Sequence, residues 1–345
     1  MILNIFTAIS LFISSVTGVL ALVLALFSFR IFQRSGLNLT GEERTAVENR
    51  SYLLLYMAVV ILWVKLLSWP LFYFMLQSCI PYIQGAMCIF GVTRAQPYLG
   101  GAAQVIKPVV FFLIGAWLLL NMLDRGTEKA PLFRRKFLFL SVLSIVVLAD
   151  SVHDFIYLTS MEVTSDVSCC TTFFDLPERT TASISVSLIG QDFEKYILPF
   201  YYSSNAVLIA FLAAAHMRFP LLRTSGPSIV LLLMSGSLLA LVNALITIIA
   251  LFEVIAPVVM QLPHHRCIYC MWQYVPGTIL MTALFIAGTF FVNWALLLYL
   301  IGRHEETLVR LLAWLKNLYF FAIACLGTSL VMATIYLIIK GNLTR

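Results

Sequence analysis

The sequence predicts an all-α polytopic membrane protein of about eight transmembrane helices with both termini extracytoplasmic, and three observations carry that prediction. Of its 345 residues, 61% are hydrophobic and only 11% charged, against roughly 25% charged in a soluble domain, and the mean hydropathy is +0.96. Eight stretches are apolar over about 20 residues, the helical length that crosses a bilayer. The Lys and Arg residues gather in alternate connections, the bias that orients membrane proteins.

The eight spans fall near 3–30, 51–77, 105–123, 137–158, 199–217, 227–256, 277–301 and 317–340, so that 1–345 reads as a single transmembrane domain. The first has no Lys or Arg before it and no small-residue cleavage site, so it reads as a retained helix and not a signal peptide, with Met1 outside. The connections after the odd-numbered spans hold fourteen basic residues, Arg30, Arg134, Arg135, Lys136 and Arg303 among them. The other side holds seven, including Arg94, Lys107, Arg179, Lys195 and Arg266, with Lys65 left inside the second span. The fourteen-residue side is therefore expected in the cytoplasm.

The connections on that side are short and charged. They leave no room for a nucleotide-binding domain, and no Walker or GxGxxG pattern is present. The net charge of +6 is explained by orientation, so the expected surroundings are the lipid bilayer and other membrane or periplasmic subunits, with no nucleic acid. Along 303–316, Leu308, Leu311, Leu312 and Leu315 share one helical face, so the segment could lie in the headgroup layer or act as a plain connector. The 159–198 connection is long enough for a small extracytoplasmic cap. Within it, Ser183 to Leu188 alternate polar with apolar, the period of a half-buried strand.

Seven cysteines are present. Each interior outward connection holds two: Cys79 and Cys88, Cys169 and Cys170, Cys267 and Cys270. The seventh, Cys325, lies in the last span. Thiols on the oxidising side of a membrane form disulfides, bind metal or exchange electrons. Cys79 and Cys88 suit a structural disulfide, worth about 2 to 3 kcal/mol for a loop of that size. Cys169 and Cys170 are adjacent, and a bond between neighbours is strained, so their role stays unassigned between pairing with other loops and joint metal binding. The sharpest motif is His264-His265-Arg266-Cys267-Ile268-Tyr269-Cys270-Met271. A CxxC at a helix start gains thiolate character from the helix dipole, which makes Cys267 and Cys270, tuned by His264 or His265, the candidate redox pair. The same residues with Met271 offer thiolate, imidazole and thioether ligands, a set suited to Cu(I).

The combination of a cysteine pair in one outward loop and CxxC at the start of a later helix resembles the layout of vitamin K epoxide reductases and bacterial disulfide-bond oxidases. The resemblance covers a few dozen residues, and those families have four or five core helices where this chain has eight spans. It implies that Cys79 and Cys88 relay electrons to Cys267 and Cys270, with a quinone beside the latter.

Ionisable groups inside a bilayer are costly and often functional. Asp150, His153 and Asp154 share one face of the fourth span, and Glu253 lies at similar depth in the sixth. They are expected to form a pocket for protons or a cation, or else to sit solvated at the interface. Lys65 is deeper and could pair with a carboxylate, snorkel or face a partner subunit. Asn243 and Asn293 suit helix packing.

Three function classes follow: a thiol-disulfide redox protein linked to a quinone, a copper or other soft-metal binding and delivery protein, and a non-catalytic subunit of a larger transporter or respiratory complex. Short loops and outward cysteines suggest a bacterial inner membrane. In an endoplasmic reticulum setting, Asn342-Leu343-Thr344 would be a glycosylation acceptor.

Overall fold

The computed structural model describes residues 4–35, 41–127, 130–161, 167–176, 178–219 and 227–341. The Asn342-Leu343-Thr344 acceptor lies outside them. All regular structure among the described residues is helical, and eight helices are long and apolar enough to cross a membrane. The contacts gather in two compact units, 1–167 with 301–307, and 168–300 with 308–345.

In the first unit the membrane-length helices are α1 (Ile5–Arg34), α2 (Gly41–Cys79), α4 (Pro97–Arg125) and α5 (Phe133–Ser160), with a short α3 (Ile89–Arg94) between α2 and α4. Asn4 caps α1, its side-chain oxygen accepting from Thr7 N at 2.9 Å. The buried face of α1 carries Thr7, Ser10, Ser14, Thr17, Gly18, Ala21 and Ala25, and it packs along α5 for most of its length. Small residues permit that approach: a Cβ on Gly18 would lie 3.3 Å from Ser151 Cβ. Larger side chains fill the rest of the core, among them Leu62 of α2, Trp117 of α4 and Phe137 of α5.

A tight turn joins α4 to α5. Lys136 Nζ lies 2.5 Å from Asp124 Oδ2, Asp124 Oδ1 accepts from Leu132 N at 3.0 Å, and Trp117 Nε1 donates to Lys136 O at 3.1 Å. Lys136 is thus a buried structural charge and not a loop charge. The third membrane-length helix begins at Pro97, not near 105. Pro97 supplies a residue already fixed for a first helical turn, and Gly100 allows that turn to approach the backbone of Thr93, whose carbonyl oxygen would be 2.4 Å from an added Cβ. Lys107 consequently lies well inside α4 and is 3% exposed.

In the second unit the connection between α5 and α8 (Phe193–Arg218) contains α6 (Thr171–Phe174) and α7 (Thr180–Ile189). The strand expected at Ser183–Leu188 is therefore a helix. Ala182 and Ser185, three residues apart, are buried while Ser183, Ile184, Val186 and Ser187 are exposed, the spacing of a helical face. Ser183 Oγ donates to Arg179 O and Ser187 Oγ to Ile184 O, so these hydroxyls bond along the helix itself.

Beyond α8, α9 (Pro227–Ala250) passes through a π turn at Leu251–Ile255 into α10 (Ala256–Met260), which ends at Gln261 with φ 61°. Then follow α11 (Ile268–Tyr274), α12 (Gly277–Gly302) and α13 (Leu308–Gly341). Leu308–Lys316 is the start of α13, with Leu311 and Leu315 buried. Asn243 and Asn293 bridge helices as expected: Ser204 Oγ donates to Asn243 Oδ1 at 2.8 Å and Ser237 Oγ to Asn293 Oδ1 at 2.6 Å.

Candidate metal centre

The second unit assembles its sulfur site from two short segments. In the first, Cys169 and Cys170 precede α6, whose opening turn is closed by Phe174 N donating to Cys170 O at 2.8 Å. In the second, Cys267 is the residue before α11 and Cys270 lies in its first turn, with Met271 N donating to Cys267 O at 3.0 Å. The CxxC therefore belongs to a seven-residue helix of its own, too short for a strong dipole, and not to the start of the seventh span.

The Sγ atoms of Cys170, Cys267 and Cys270 lie within 4.8 Å of one another. Cys170 Sγ is 3.6 Å from Cys270 Sγ and 3.5 Å from Cys169 Sγ. A disulfide requires about 2.05 Å, and none of the seven cysteines forms one. Two thiolates on one tetrahedral ion with bonds of about 2.3 Å stand about 3.8 Å apart. The Cys170–Cys270 spacing is therefore that of shared ligands rather than of bonded sulfurs. All three residues are buried.

His265 completes the arrangement. Its Nε2 is 3.7 Å from Cys170 Sγ and its Nδ1 is 2.8 Å from Asp175 Oδ2. An ionised carboxylate can only accept, so Nδ1 donates, and in the neutral imidazole Nε2 then holds its lone pair on the side of the sulfurs. A carboxylate behind an imidazole is how metal-binding histidines are usually oriented. Asp175 Oδ1 also accepts from Arg266 N at 3.3 Å, which fixes the loop that carries His265.

Glu253 lies beside these segments and anchors both. It sits in the π turn after α9, a distortion frequently found at functional sites, and its side chain is fully buried. Arg179 grips it, Nε donating to both carboxylate oxygens at 3.1 Å, with its Nη2 closer still to Oε2. Arg266 Nε is 3.2 Å from the same oxygen. Arg179 opens α7, just beyond the segment bearing Cys170, and Arg266 immediately precedes Cys267.

The other expected residues are distributed as follows. His264 is exposed and Met271 is buried in α11. Cys79 ends α2 and points at α1, with Thr7 Oγ1 and Met75 Sδ each 3.9 Å from its sulfur. Cys88 is the buried residue that begins α3. The structural disulfide expected between them is not formed: both cysteines are free thiols. Asp150 and Asp154 belong to the first unit, where Lys65 and Lys107 face them; Glu253 belongs to the second, facing two arginines. Sequence reading missed Asp175, Arg179 and Lys107. The first two lie in the connection that the alternation at Ser183–Leu188 marked as a strand, and the third was counted with the outer charges because a helix start drawn near 105 instead of Pro97 left it at the span's end.

Fold and site together define a polytopic helical protein, with eight helices able to cross a membrane and a buried cysteine cluster able to bind a metal. Beyond that class, no protein-family model, curated protein or solved structure matches the chain.

Proposed function

We propose that the protein binds a soft d10 metal ion, Cu(I) foremost, through Cys170, Cys267, Cys270 and His265 on the extracytoplasmic side of its membrane. The observation that carries this reading is the grouping of three buried sulfurs within 4.8 Å around which His265 turns Nε2. Thiolate and imidazole together suit Cu(I) and Zn(II) and disfavour hard cations. Burial favours retention of the ion and excludes water, and Asp175 holds the imidazole in its ligating tautomer. Glu253, through Arg179 and Arg266, is the positioning group that keeps the two ligand-bearing segments together.

A second reading, thiol-disulfide redox, is favoured by the row Cys169–Cys170–Cys270, whose neighbouring sulfurs are 3.5 and 3.6 Å apart. Closure of Cys170 onto Cys270 releases two protons and two electrons, which a quinone would accept as it becomes a quinol.

One preparation separates the two. Purified, reduced protein is titrated with Cu(I) and with Zn(II) against a competing chelator, alongside a Cys170→Ser/Cys267→Ser/Cys270→Ser variant. The metal reading expects one tightly held ion per chain, lost in the triple variant. Equal metal binding by both proteins would sink it. Quinone-dependent formation of a Cys170–Cys270 bond in the metal-free protein would then favour the redox reading.

A further inference from the structure

The first unit carries a second cluster, independent of the sulfur site. Lys65 of α2, Lys107 of α4, and Asp150 and Asp154 of α5 are all buried within helices able to cross a membrane. Lys65 Nζ is 2.6 Å from Asp150 Oδ2, and Lys107 Nζ is 2.9 Å from Asp150 Oδ1. Both oxygens of Asp150 are thus held by ammonium groups. Asp154 differs. Its Oδ2 receives Lys107 at 2.5 Å, Ser14 Oγ at 3.2 Å and Lys65 at 3.5 Å, while its buried Oδ1 has no hydrogen-bond partner. The hydroxyl of Tyr157 and both ring nitrogens of His153, on the same helix, are also buried without partners. Unsatisfied buried polar atoms are rare in native proteins, and four of them belong to His153, Asp154 and Tyr157.

A polar row leads to it. Asn4, Thr7, Ser10, Ser14 and Thr17 follow one another at helical spacing along the buried face of α1. The ten residues from Asn4 to Ser14 rise about 15 Å. Ser10 Oγ, like Asp154 Oδ1, lacks a partner. Beyond Ser14, Thr17 Oγ1 is 3.2 Å from Ser151 Oγ, which accepts from Lys65 Nζ at 3.1 Å.

We propose that Asp154 is a proton-binding carboxylate of the membrane-spanning region, loaded along this hydroxyl row from the end of α1 at which Asn4 lies. Two ammonium groups within 3.5 Å of Oδ2 exclude a metal cation, and the unpartnered Oδ1 is the atom left with a free lone pair for a proton. Hydronium gives its proton to the Asp154 carboxylate, yielding the acid and water, and the quartet passes from neutral to one positive charge; release is the reverse. The groups facing Asp154 are Ser14 from α1, Lys65 from α2 and Lys107 from α4, with Asp150 sharing both lysines and His153 and Tyr157 adjoining it along α5. Asp150, with both oxygens engaged, stays ionised as the fixed counter-ion of the lysines.

The test is infrared difference spectroscopy of the full chain in phosphatidylethanolamine and phosphatidylglycerol vesicles, stepped in pH in H2O and D2O. A buried carboxylic-acid band should appear on acidification, vanish in Asp154→Asn, and persist in Glu194→Gln, which alters an exposed carboxylate. Should Asp154→Asn fail to fold, Lys65→Met/Asp154→Asn removes one charge of each sign and leaves none unpaired; it should also lack the band. Ser14→Ala should keep the band's amplitude but slow its rise by roughly fivefold, the factor that one average hydrogen bond represents. A band that survives in either folded Asp154 variant, a wild-type protein with no buried acid band at any pH at which it stays folded, or an unchanged rate in Ser14→Ala would overturn the proposal.

Discussion

Asp175 shows how one side chain can orient an imidazole from behind. Its carboxylate receives the Nδ1 proton of His265 and the amide of Arg266, so it sets both the tautomer and the loop. Groups behind metal ligands typically contribute 10- to 100-fold in affinity, and Asp175→Ala is expected to weaken Cu(I) binding by about that factor, read by chelator competition. Affinity equal to wild type would remove Asp175 from the site. Single residues were unevenly legible in the sequence. Cys267, Cys270 and His265 stand in one compact motif and are visible at once. Cys170 depends on a contact across a hundred residues, and Asp175 has no motif. Lys65 was legible as a buried charge because it interrupts an apolar run from Tyr52 to Leu67, whereas its partner Lys107 hid behind glycines and a proline that blur the start of α4.

Helices were the scale at which the sequence spoke most clearly, because a bilayer demands long uninterrupted apolar runs and satisfies every backbone group within the helix. Short helices were not legible. In α7 the alternation of serines with Ile184, Val186 and Leu188 has the period of a strand, yet the local hydroxyl-to-carbonyl bonds and the burial of Ala182 and Ser185 select a helix. What the sequence does not reveal at this scale is which helices touch. The α1–α5 contact depends on a stripe of small residues, and Gly18 is its tightest point. Gly18→Leu is expected to cost about 1–3 kcal/mol through overpacking, seen as a lowered midpoint of thermal unfolding in detergent. Gly101→Leu is the comparison, since nothing lies within 4 Å of a Cβ there. If both variants melt alike, α1 and α5 are not packed as described.

For the whole molecule the open quantity is sidedness, and the structure sharpens the charge count that bears on it. Lys136, Lys107 and Arg179 are each buried in an ion pair and so cannot act as free loop charges. Setting them aside leaves thirteen basic residues on one side and five on the other, a stronger bias than the sequence alone presented. By the positive-inside rule that bias would put the connection at Arg303–Thr307 in the cytoplasm and the connection before α8 outside. The seven native cysteines are buried or, for Cys325, set within a membrane-length helix, so a cysteine newly introduced at an exposed position reports its own side. Lys195→Cys should react with a membrane-impermeant maleimide on intact spheroplasts, and Glu305→Cys only after permeabilisation. The opposite pattern would invert the protein. It would also place Cys170, Cys267 and Cys270, whose segments flank the same end of the second unit as Lys195, in a reducing compartment. There thiolates persist without a metal, and an oxidant-driven cycle at Cys170 and Cys270 would lose its setting.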